Sequence, residues 1–192
     1  MNAANDPSGE RAADVLRKSR RILVLGSSGA GKSTLARRLG DALQLPVIHL
    51  DAHYWNPGWK ETPDAEWDRR LPGLLAGDSW VMDGNYHRSL PERLLRANAA
   101  VFLDPSPWLC RLRIVKRIAT SYGRVRADMA DGCPEKVDWE FLRWVWTWHR
   151  DVRPIVAGAL DQAQDQVTVL RLRNRRNVAA LLRHLRSAPG GT

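Results

Sequence analysis

Residues 26–33 have the types and the spacing of a phosphate-binding loop. They read Gly-Ser-Ser-Gly-Ala-Gly-Lys-Ser and fit the pattern G-x-x-x-x-G-K-[ST]. Glycines allow left-handed turns that aim successive backbone N–H groups at one point, where the following helix adds positive potential. In such a P-loop Lys32 reaches the β- and γ-phosphates and the Ser33 hydroxyl binds Mg²⁺. The sequence therefore predicts a nucleotide site formed by Gly26, Ser27, Ser28, Gly29, Ala30, Gly31, Lys32, Ser33 and Thr34.

Three aspartates follow apolar runs that are typical of strands, namely Asp51, Asp83 and Asp104. Ligands of open α/β sheets bind beyond the carboxyl ends of the strands, so one of these acids is expected to serve Mg²⁺ together with Ser33. Asp83 is preferred because Trp-Val-Met-Asp-Gly has the form of a Walker B strand. The alternative for each acid is a helix cap or a turn, and it is strongest for Asp104 in Asp-Pro-Ser-Pro.

Histidines and arginines supply further candidates. His49 points to the opposite face of its strand from Ile48, since side chains alternate, and a structural hydrogen bond is favoured over catalysis. His53 and His87 lie in loops where they could touch a substrate. Guanidinium groups can stabilise the charge of a phosphoryl group in transit, although a solvated basic face is the alternative for any single arginine. The candidates are Arg113, Arg117, Arg124, Arg126 and Arg143.

The elements that must position these residues alternate along the chain. Short apolar runs predict five strands, and apolar residues at helical spacing predict helices between them. Such alternation favours right-handed βαβ crossovers and a parallel sheet covered by helices on both faces. The predicted strands are 22–25, 45–51, 80–83, 99–104 and 167–170, and the predicted helices are 34–43, 64–75, 91–97, 108–121, 138–150 and 177–186.

Composition limits the class of protein. The 192 residues include 44% hydrophobic residues, which suits one globular domain at 21–192 preceded by a flexible tail at 1–20, in which a short helix from Glu10 is the alternative. The two cysteines have no zinc or redox spacing, and no apolar run has the length of a membrane span or signal peptide, so we expect a cytoplasmic protein. The net charge of +9 fits either a nucleic-acid surface or a site that surrounds phosphates.

Several longer motifs resemble those of a known family. The chain resembles the adenylate-kinase-related P-loop kinases and is most similar to the topology modulation proteins. The motifs that carry this resemblance, besides the P-loop, occupy residues 47–55, 57–59, 80–86, 128–135 and 138–146. The resemblance implies the α/β fold of nucleoside-monophosphate kinases, with a five-stranded parallel sheet, an acceptor-binding segment at about 52–77 and a lid at about 121–137.

The resemblance also implies roles for single residues. Asp83 resembles the acid that holds Mg²⁺ through water, and Arg117 resembles the arginine that packs on the adenine of ATP. Arg124, Arg126 and Arg143 resemble arginines that clamp phosphates. Because Arg124 and Arg126 have few acidic neighbours in sequence, we expect the lid to be mobile without ligand.

The chain also departs from adenylate kinases. Strand 80–83 is followed by Gly-Asn-Tyr-His-Arg, which places Arg88 one residue beyond the adenylate-kinase arginine, and the Thr-Gly-Asp used around AMP is absent. A plain AMP kinase is therefore disfavoured. The lid holds one cysteine, Cys133, so a four-cysteine zinc site cannot form there.

These observations predict an ATP- and Mg²⁺-dependent kinase that acts on a small acceptor, a nucleotide or a nucleoside among the candidates. Asp51 or His53 would act on the acceptor hydroxyl. The rival prediction is a regulatory ATP-binding protein associated with DNA, although the sequence contains no recognised base-reading motif. DNA binding is therefore expected to be weak and non-specific, and the protein to be a monomer or dimer.

Overall fold

The computed structural model describes residues 9–187 and contains two β-sheets. The strands are β1 (Arg21–Gly26), β2 (Val47–His49), β3 (Trp55–Asn56), β4 (Lys60–Glu61), β5 (Trp80–Asp83), β6 (Ala99–Leu103) and β7 (Thr168–Leu172). Five strands form a parallel sheet in the order β2-β5-β1-β6-β7, whereas β3 and β4 form a separate antiparallel hairpin. The predicted α/β fold with a five-stranded parallel sheet is therefore confirmed.

Nine α-helices and a short 3-10 helix (His87–Ser89) occur within the described residues. The α-helices are α1 (Glu10–Lys18), α2 (Lys32–Leu43), α3 (Leu50–Tyr54), α4 (Asp64–Leu75), α5 (Leu90–Arg96), α6 (Pro107–Ser121), α7 (Trp139–Asp151), α8 (Arg153–Gln162) and α9 (Arg175–Arg186). Local sequence fixes several of their starts. Pro107 provides the preset φ of a first helical residue, and the Asp138 side chain accepts a hydrogen bond from the Phe141 N–H at 3.0 Å.

The sheet is buried on both faces, which explains why its strands read as continuous apolar runs. Alternate residues of β1 face opposite sides, because Val24 packs with α1, α2 and α9 while Leu25 packs with α4, α5 and α8. Burial on both sides fixes the register of the central strands, since a slip by one residue would exchange the two faces. The carboxyl ends of these strands are thereby held in fixed positions at one edge of the sheet.

The first helix differs from the expected flexible tail. Residues 10–18 form α1, where Ala12, Ala13 and Leu16 are buried against the core beside α9. On a helix the spacing of these three residues produces an apolar stripe, and burial of that stripe against the core favours packing of α1 on the rest of the domain. Residues 1–8, the rest of the predicted tail, lie outside the described residues.

Two elements near the acceptor-binding segment also differ from the expectation. The strand predicted at 45–51 ends at His49, and Asp51 lies in the short helix α3 instead. The hairpin formed by β3 and β4 was not predicted, because two-residue strands are too short to produce a sequence pattern.

This hairpin contacts the predicted lid directly. The Gly58 N–H donates to the Gly132 carbonyl at 2.9 Å, the Trp59 indole N–H donates to the Pro134 carbonyl at 2.9 Å, and the Cys133 thiol donates to the Asn56 carbonyl at 3.2 Å. We call these three bonds the hairpin–lid contact. Gly132 has a φ of 74°, and a Cβ there would lie 2.9 Å from Pro57 Cβ, so the close approach requires glycine.

No helix among residues 9–187 combines the length and the apolar character that a membrane crossing requires.

Candidate active site

The P-loop joins β1 to α2 and lines a cavity of about 810 Å³, which we call the main cavity. Gly26 and Gly29 adopt φ values of 144° and 80°. A Cβ at either position would lie 2.4 Å from a backbone carbonyl oxygen, of Leu103 or of Cys110, so glycine is required by both the dihedral angle and the space. The loop residues that line the cavity are Ser28, Gly29, Gly31, Lys32, Ser33 and Thr34, whereas Gly26, Ser27 and Ala30 are buried beneath them.

Two basic residues reinforce this loop. Lys32 Nζ donates to the Ser27 carbonyl at 3.2 Å, and burial lowers the pKa of Lys32, an effect opposed by the carboxylates of Asp51 and Asp83. Arg113 of α6 donates to the carbonyl oxygens of Gly29 and Ala30, both at 3.1 Å. These bonds offset two carbonyl dipoles that would otherwise repel a phosphate, so the loop presents a positive surface to the cavity.

The predicted metal residue Asp83 does not line the main cavity. It ends β5 with 3% of its surface exposed, and the strand register pairs it with His49. His49 Nδ1 lies 2.6 Å from Asp83 Oδ1, and this hydrogen bond raises the pKa of His49 despite the opposing effect of burial. The contact agrees with the structural role predicted for His49, and it commits one Asp83 oxygen to that role.

Removing one member of this buried pair is expected to destabilise the fold. His49→Leu leaves the Asp83 carboxylate buried without its partner, so the free energy of unfolding should fall by about 2–3 kcal/mol. The double variant His49→Leu/Asp83→Leu should recover part of that loss, because both polar groups are then absent. Urea unfolding followed by circular dichroism measures both effects; equal stability of the parent and the single variant would contradict the structural role.

The carboxylate that meets Ser33 belongs to Asp128 of the lid. The Ser33 hydroxyl lies close enough to this carboxylate to lower its pKa, and Arg126 donates to it at 3.0 Å. Burial of Asp128 would raise its pKa, but the charge of Arg126 and the neighbouring Ser33 hydroxyl outweigh burial and hold the pKa below its usual range. The position of Asp128 beside the P-loop could not be predicted, since the lid has no regular secondary structure.

These oxygen donors fit Mg²⁺. Within residues 9–187 no three His, Cys, Asp or Glu side chains are grouped so that they could hold a metal ion alone. Mg²⁺ is usually bound by one or two protein oxygens and completed by phosphate and water, which does not require such a group. The neighbouring hydroxyl of Ser33 and carboxylate of Asp128 are therefore suitable ligands for Mg²⁺ that arrives with a nucleotide.

The lid brings some of the predicted arginines to the cavity and leaves others outside. Arg117 and Arg126 line the main cavity, and both contact Glu135, at 2.9 Å from Arg117 and 3.2 Å from Arg126. Arg117 also lies 5.5 Å from the centre of the Phe141 ring, and burial lowers its pKa. Glu135 thus bridges the guanidinium groups of Arg117 and Arg126.

Arg124 and Arg143 differ from their predicted phosphate-clamping roles. Both side chains are exposed, and neither lines the main cavity. Arg143 lies on the exposed side of α7, four residues after the helix begins, whereas Val145 and Trp148 form its buried side. Residue type and sequence position alone could not distinguish these arginines from Arg126, because only the folded lid decides which guanidinium faces inward.

Asp51 reaches the main cavity from α3. The Tyr86 hydroxyl donates to its Oδ1 at 2.8 Å, and burial raises the pKa of Asp51, an effect opposed by the nearby Lys32 and by the Tyr86 hydrogen bond. A carboxylate with a raised pKa that remains close to a phosphate-binding lysine is suited to accept a proton from a hydroxyl group.

The two loop histidines have different positions. His87 lines the main cavity, whereas His53 is exposed and lines a separate cavity of about 460 Å³ beside α4. Burial of its ring lowers the pKa of His53. The structure therefore favours Asp51 over His53 as the residue that acts on an acceptor.

Several cavity residues were missed by the sequence. Tyr54 and Tyr86 form the aromatic wall beside Asp51, and Trp144 of α7 also lines the cavity. The tryptophan-rich segment 52–77 gave a compositional signal for such a wall, but it did not indicate which rings face the cavity. Asp128 and Glu135 belong to the motif at 128–135, and this membership was the one feature of the sequence that could have marked them as site residues.

The chain matches no protein-family model, and no curated protein matches it. It is similar to the solved structure of a shikimate kinase from Acinetobacter baumannii in complex with shikimate, with a TM-score of 0.52 and 16% identity over 89% of this chain and 93% of that chain. A gluconokinase from Sinorhizobium meliloti 1021 gives a TM-score of 0.47 and 19% identity over 86% of this chain and 91% of that one. The first similarity shows that the chain has the fold of a P-loop kinase.

Proposed function

We propose that this protein transfers the γ-phosphoryl group of ATP to a hydroxyl group of a small acceptor, with Mg²⁺ as cofactor. One observation carries the proposal: the P-loop, the arginines Arg117 and Arg126, and the carboxylate of Asp51 all line one cavity. A binding protein needs the first of these features, whereas transfer also needs charge stabilisation and a proton acceptor. The kinase fold and the resemblance to topology modulation proteins support the same proposal.

Each residue has a defined task in this reaction. The P-loop amides and Lys32 bind the phosphates, and Asp51 accepts the proton of the acceptor hydroxyl. The acceptor oxygen forms a bond to the γ-phosphorus while the bond to the bridging oxygen of ADP breaks, and the electron pair leaves with ADP. During this transfer Arg117 and Arg126 replace their contacts with Glu135 by contacts with the moving phosphoryl group, and they stabilise its negative charge. Mg²⁺, when held by oxygens such as those of Ser33 and Asp128, neutralises phosphate charge.

The test separates binding from transfer. Calorimetry with Mg²⁺ and a non-hydrolysable ATP analogue should show binding to the purified full-length protein. Incubation with ATP and a mixture of metabolites, followed by mass spectrometry, should then show an acceptor whose mass increases by one phosphoryl group. Binding of the analogue without any phosphorylated product would leave only a nucleotide-binding protein.

The two lid arginines provide a matched comparison. Arg126→Ala removes a guanidinium from the main cavity, so kcat should fall by about a hundredfold while the affinity for the ATP analogue changes little. Arg124→Ala removes the same group from an exposed position two residues away, and kcat should stay within about twofold of the parent. Steady-state kinetics at saturating ATP measure both values. Equal losses in the two variants would contradict the inward position of Arg126.

The net charge of +9 supports a second candidate, an ATP-binding protein that acts on DNA. If basic side chains contact only the DNA phosphates, binding releases the counterions of the DNA, and the affinity therefore falls steeply as the salt concentration increases. A DNA complex that prefers one sequence and persists at physiological ionic strength would favour this candidate over the kinase.

A further inference from the structure

One end of the main cavity is built from aromatic rings. We call it the acceptor end and define it by Asp51, Tyr54, Trp55, Trp59, Glu61 and Tyr86, all of which line the cavity. The ring centroids of Tyr54 and Tyr86 are 4.4 Å apart, and those of Trp55 and Trp59 are 5.5 Å apart. The buried ring of Trp67 packs against both tyrosines from behind. The two tyrosine rings are therefore held in place by Trp67, and the faces of the four rings suit a partner that presents the face of a ring.

The charged groups at the acceptor end are both acids. Asp51 reaches the cavity from α3, and Glu61 reaches it from β4, where the Tyr54 hydroxyl donates to it at 3.4 Å. Two carboxylates at one end of a cavity repel a phosphate or carboxylate on an incoming ligand. The same groups accept hydrogen bonds from hydroxyl groups without penalty.

Arginines near this segment are turned away from the acceptor end. Arg88 is half exposed, and its guanidinium lies 3.2 Å from Asp64 and 2.8 Å from Asp68, outside the main cavity. Arg93 is fully buried and donates to the carbonyl oxygens of Gly84 and Tyr86, at 3.3 and 2.6 Å. Arg93 therefore holds the loop that carries Tyr86, and neither guanidinium lies where it could bind an acceptor phosphate.

Two other cations line the cavity and must be considered. Lys136 lies 3.5 Å from Asp138 and 5.9 Å from the centre of the Trp59 ring, so its charge already has partners at the rim. Arg37 lies one turn after Ser33 on α2, on the P-loop side of the cavity. Arg117, Arg126 and Lys136 already contact carboxylates, and Lys32 and Arg113 contact the P-loop. Arg37 is therefore the remaining lysine or arginine of the cavity lining through which an anionic acceptor could be bound.

From the ring wall, the two acids and the outward arginines, we propose that the acceptor is an uncharged alcohol that contains a ring, rather than a nucleoside monophosphate or a carboxylate. This inference rests on the phosphoryl transfer proposed above and specifies its acceptor. Nucleosides and cyclic sugars or polyols share the required chemistry, since each offers a hydroxyl for Asp51 and a face for the rings. The hydroxyl proton passes to Asp51 as its oxygen bonds to the γ-phosphorus of ATP.

The experiment compares each neutral acceptor with its anionic counterpart. Transfer from ATP is measured with adenosine against AMP, cytidine against CMP, and glucose against glucuronate, while calorimetry with the ATP analogue is run in parallel. We expect kcat/KM for a neutral compound to exceed that of its anionic counterpart by at least about tenfold. This ratio corresponds to one repulsive contact of about 1.4 kcal/mol between the anion and the acidic side chains. The nucleoside pairs and the sugar pair distinguish the two sources of the ring.

Variants of the acceptor end test its two components. Trp55→Leu should raise KM for the neutral acceptor at least about tenfold and leave the affinity for the ATP analogue within about twofold. Glu61→Gln, at an exposed position that is safe for folding, should reduce the discrimination against the anionic counterpart several-fold. The matched control is Glu92→Gln, which makes the same change on exposed α5 outside the cavity and should behave as the parent.

The outcomes separate this inference from the proposed function. If the ATP analogue binds and transfer occurs only to the anionic compounds, with Arg37→Ala abolishing it, the inference is wrong while the kinase proposal stands. Unchanged discrimination in Glu61→Gln together with unchanged KM in Trp55→Leu also overturns it. If the ATP analogue does not bind, the proposed function itself fails.

Discussion

Lys32→Ala should lower kcat/KM for phosphoryl transfer by about a hundredfold to a thousandfold and remove most of the affinity for ATP. The reason is the position of the ammonium group, which lines the main cavity beside the P-loop. A charge in this water-poor position interacts strongly with phosphate oxygens, because the screening by solvent is weak. Kinetics with a saturating acceptor and calorimetry with the ATP analogue measure the two losses.

A matched control shows that the loss comes from the site. Lys116→Ala removes the same group from an exposed position on α6, outside the main cavity, and should leave both values within about twofold. Thermal unfolding of Lys32→Ala should remain close to that of the parent, since Lys32 does not belong to the hydrophobic core. ATP affinity that is equal in Lys32→Ala and the parent would contradict the nucleotide site.

Asp51→Asn is expected to have the second large effect. The amide keeps the shape of the side chain but cannot accept the hydroxyl proton, so kcat should fall by about a hundredfold to a thousandfold. Affinity for the ATP analogue should stay within about twofold, because Asp51 contacts Tyr86 at the acceptor end rather than the P-loop. Asp41→Asn on the exposed side of α2 is the matched control and should retain the parental kcat.

The pH dependence gives an independent check on Asp51. Burial raises the pKa of Asp51, and only the ionised form accepts a proton, so kcat should fall as the pH decreases through this raised pKa. The hydrogen bond from Tyr86 lowers the pKa, so Tyr86→Phe should move this acidic limb to higher pH. An acidic limb that stays in place in Tyr86→Phe and persists in Asp51→Asn would assign the proton to another group.

The central sheet was predictable because its signals are local. β5 lies at 80–83 and α4 at 64–75, as predicted, since each combines a clear apolar pattern with neighbouring Gly or Pro residues. The order of the strands and the α8 helix at 153–162 were not predicted. Strand order depends on packing across the whole chain, and Pro154 and Gly158 resemble helix breakers although a proline is acceptable in the first helical turn.

The same distinction holds for the candidate site. The P-loop is continuous in sequence, so its residues and their arrangement could be predicted together. The environment of Asp128 could not, because the lid meets Ser33 only after the chain has folded. Asp83 shows the same limit: its strand was predicted correctly, but its hydrogen bond with His49 and its position outside the cavity lining depend on the register of two strands.

The hairpin–lid contact has a consequence for how two ligands affect each other. It joins the hairpin beside the acceptor end to the segment that carries Arg126 and Asp128, through three hydrogen bonds. A ligand that orders either side therefore orders part of the other, which is a coupling free energy between two binding events. Such coupling is reciprocal: if ATP raises the affinity for the acceptor tenfold, about 1.4 kcal/mol, the acceptor must raise the affinity for ATP by the same factor. The pair would then bind synergistically, and each substrate alone would be held more weakly than the ternary complex suggests.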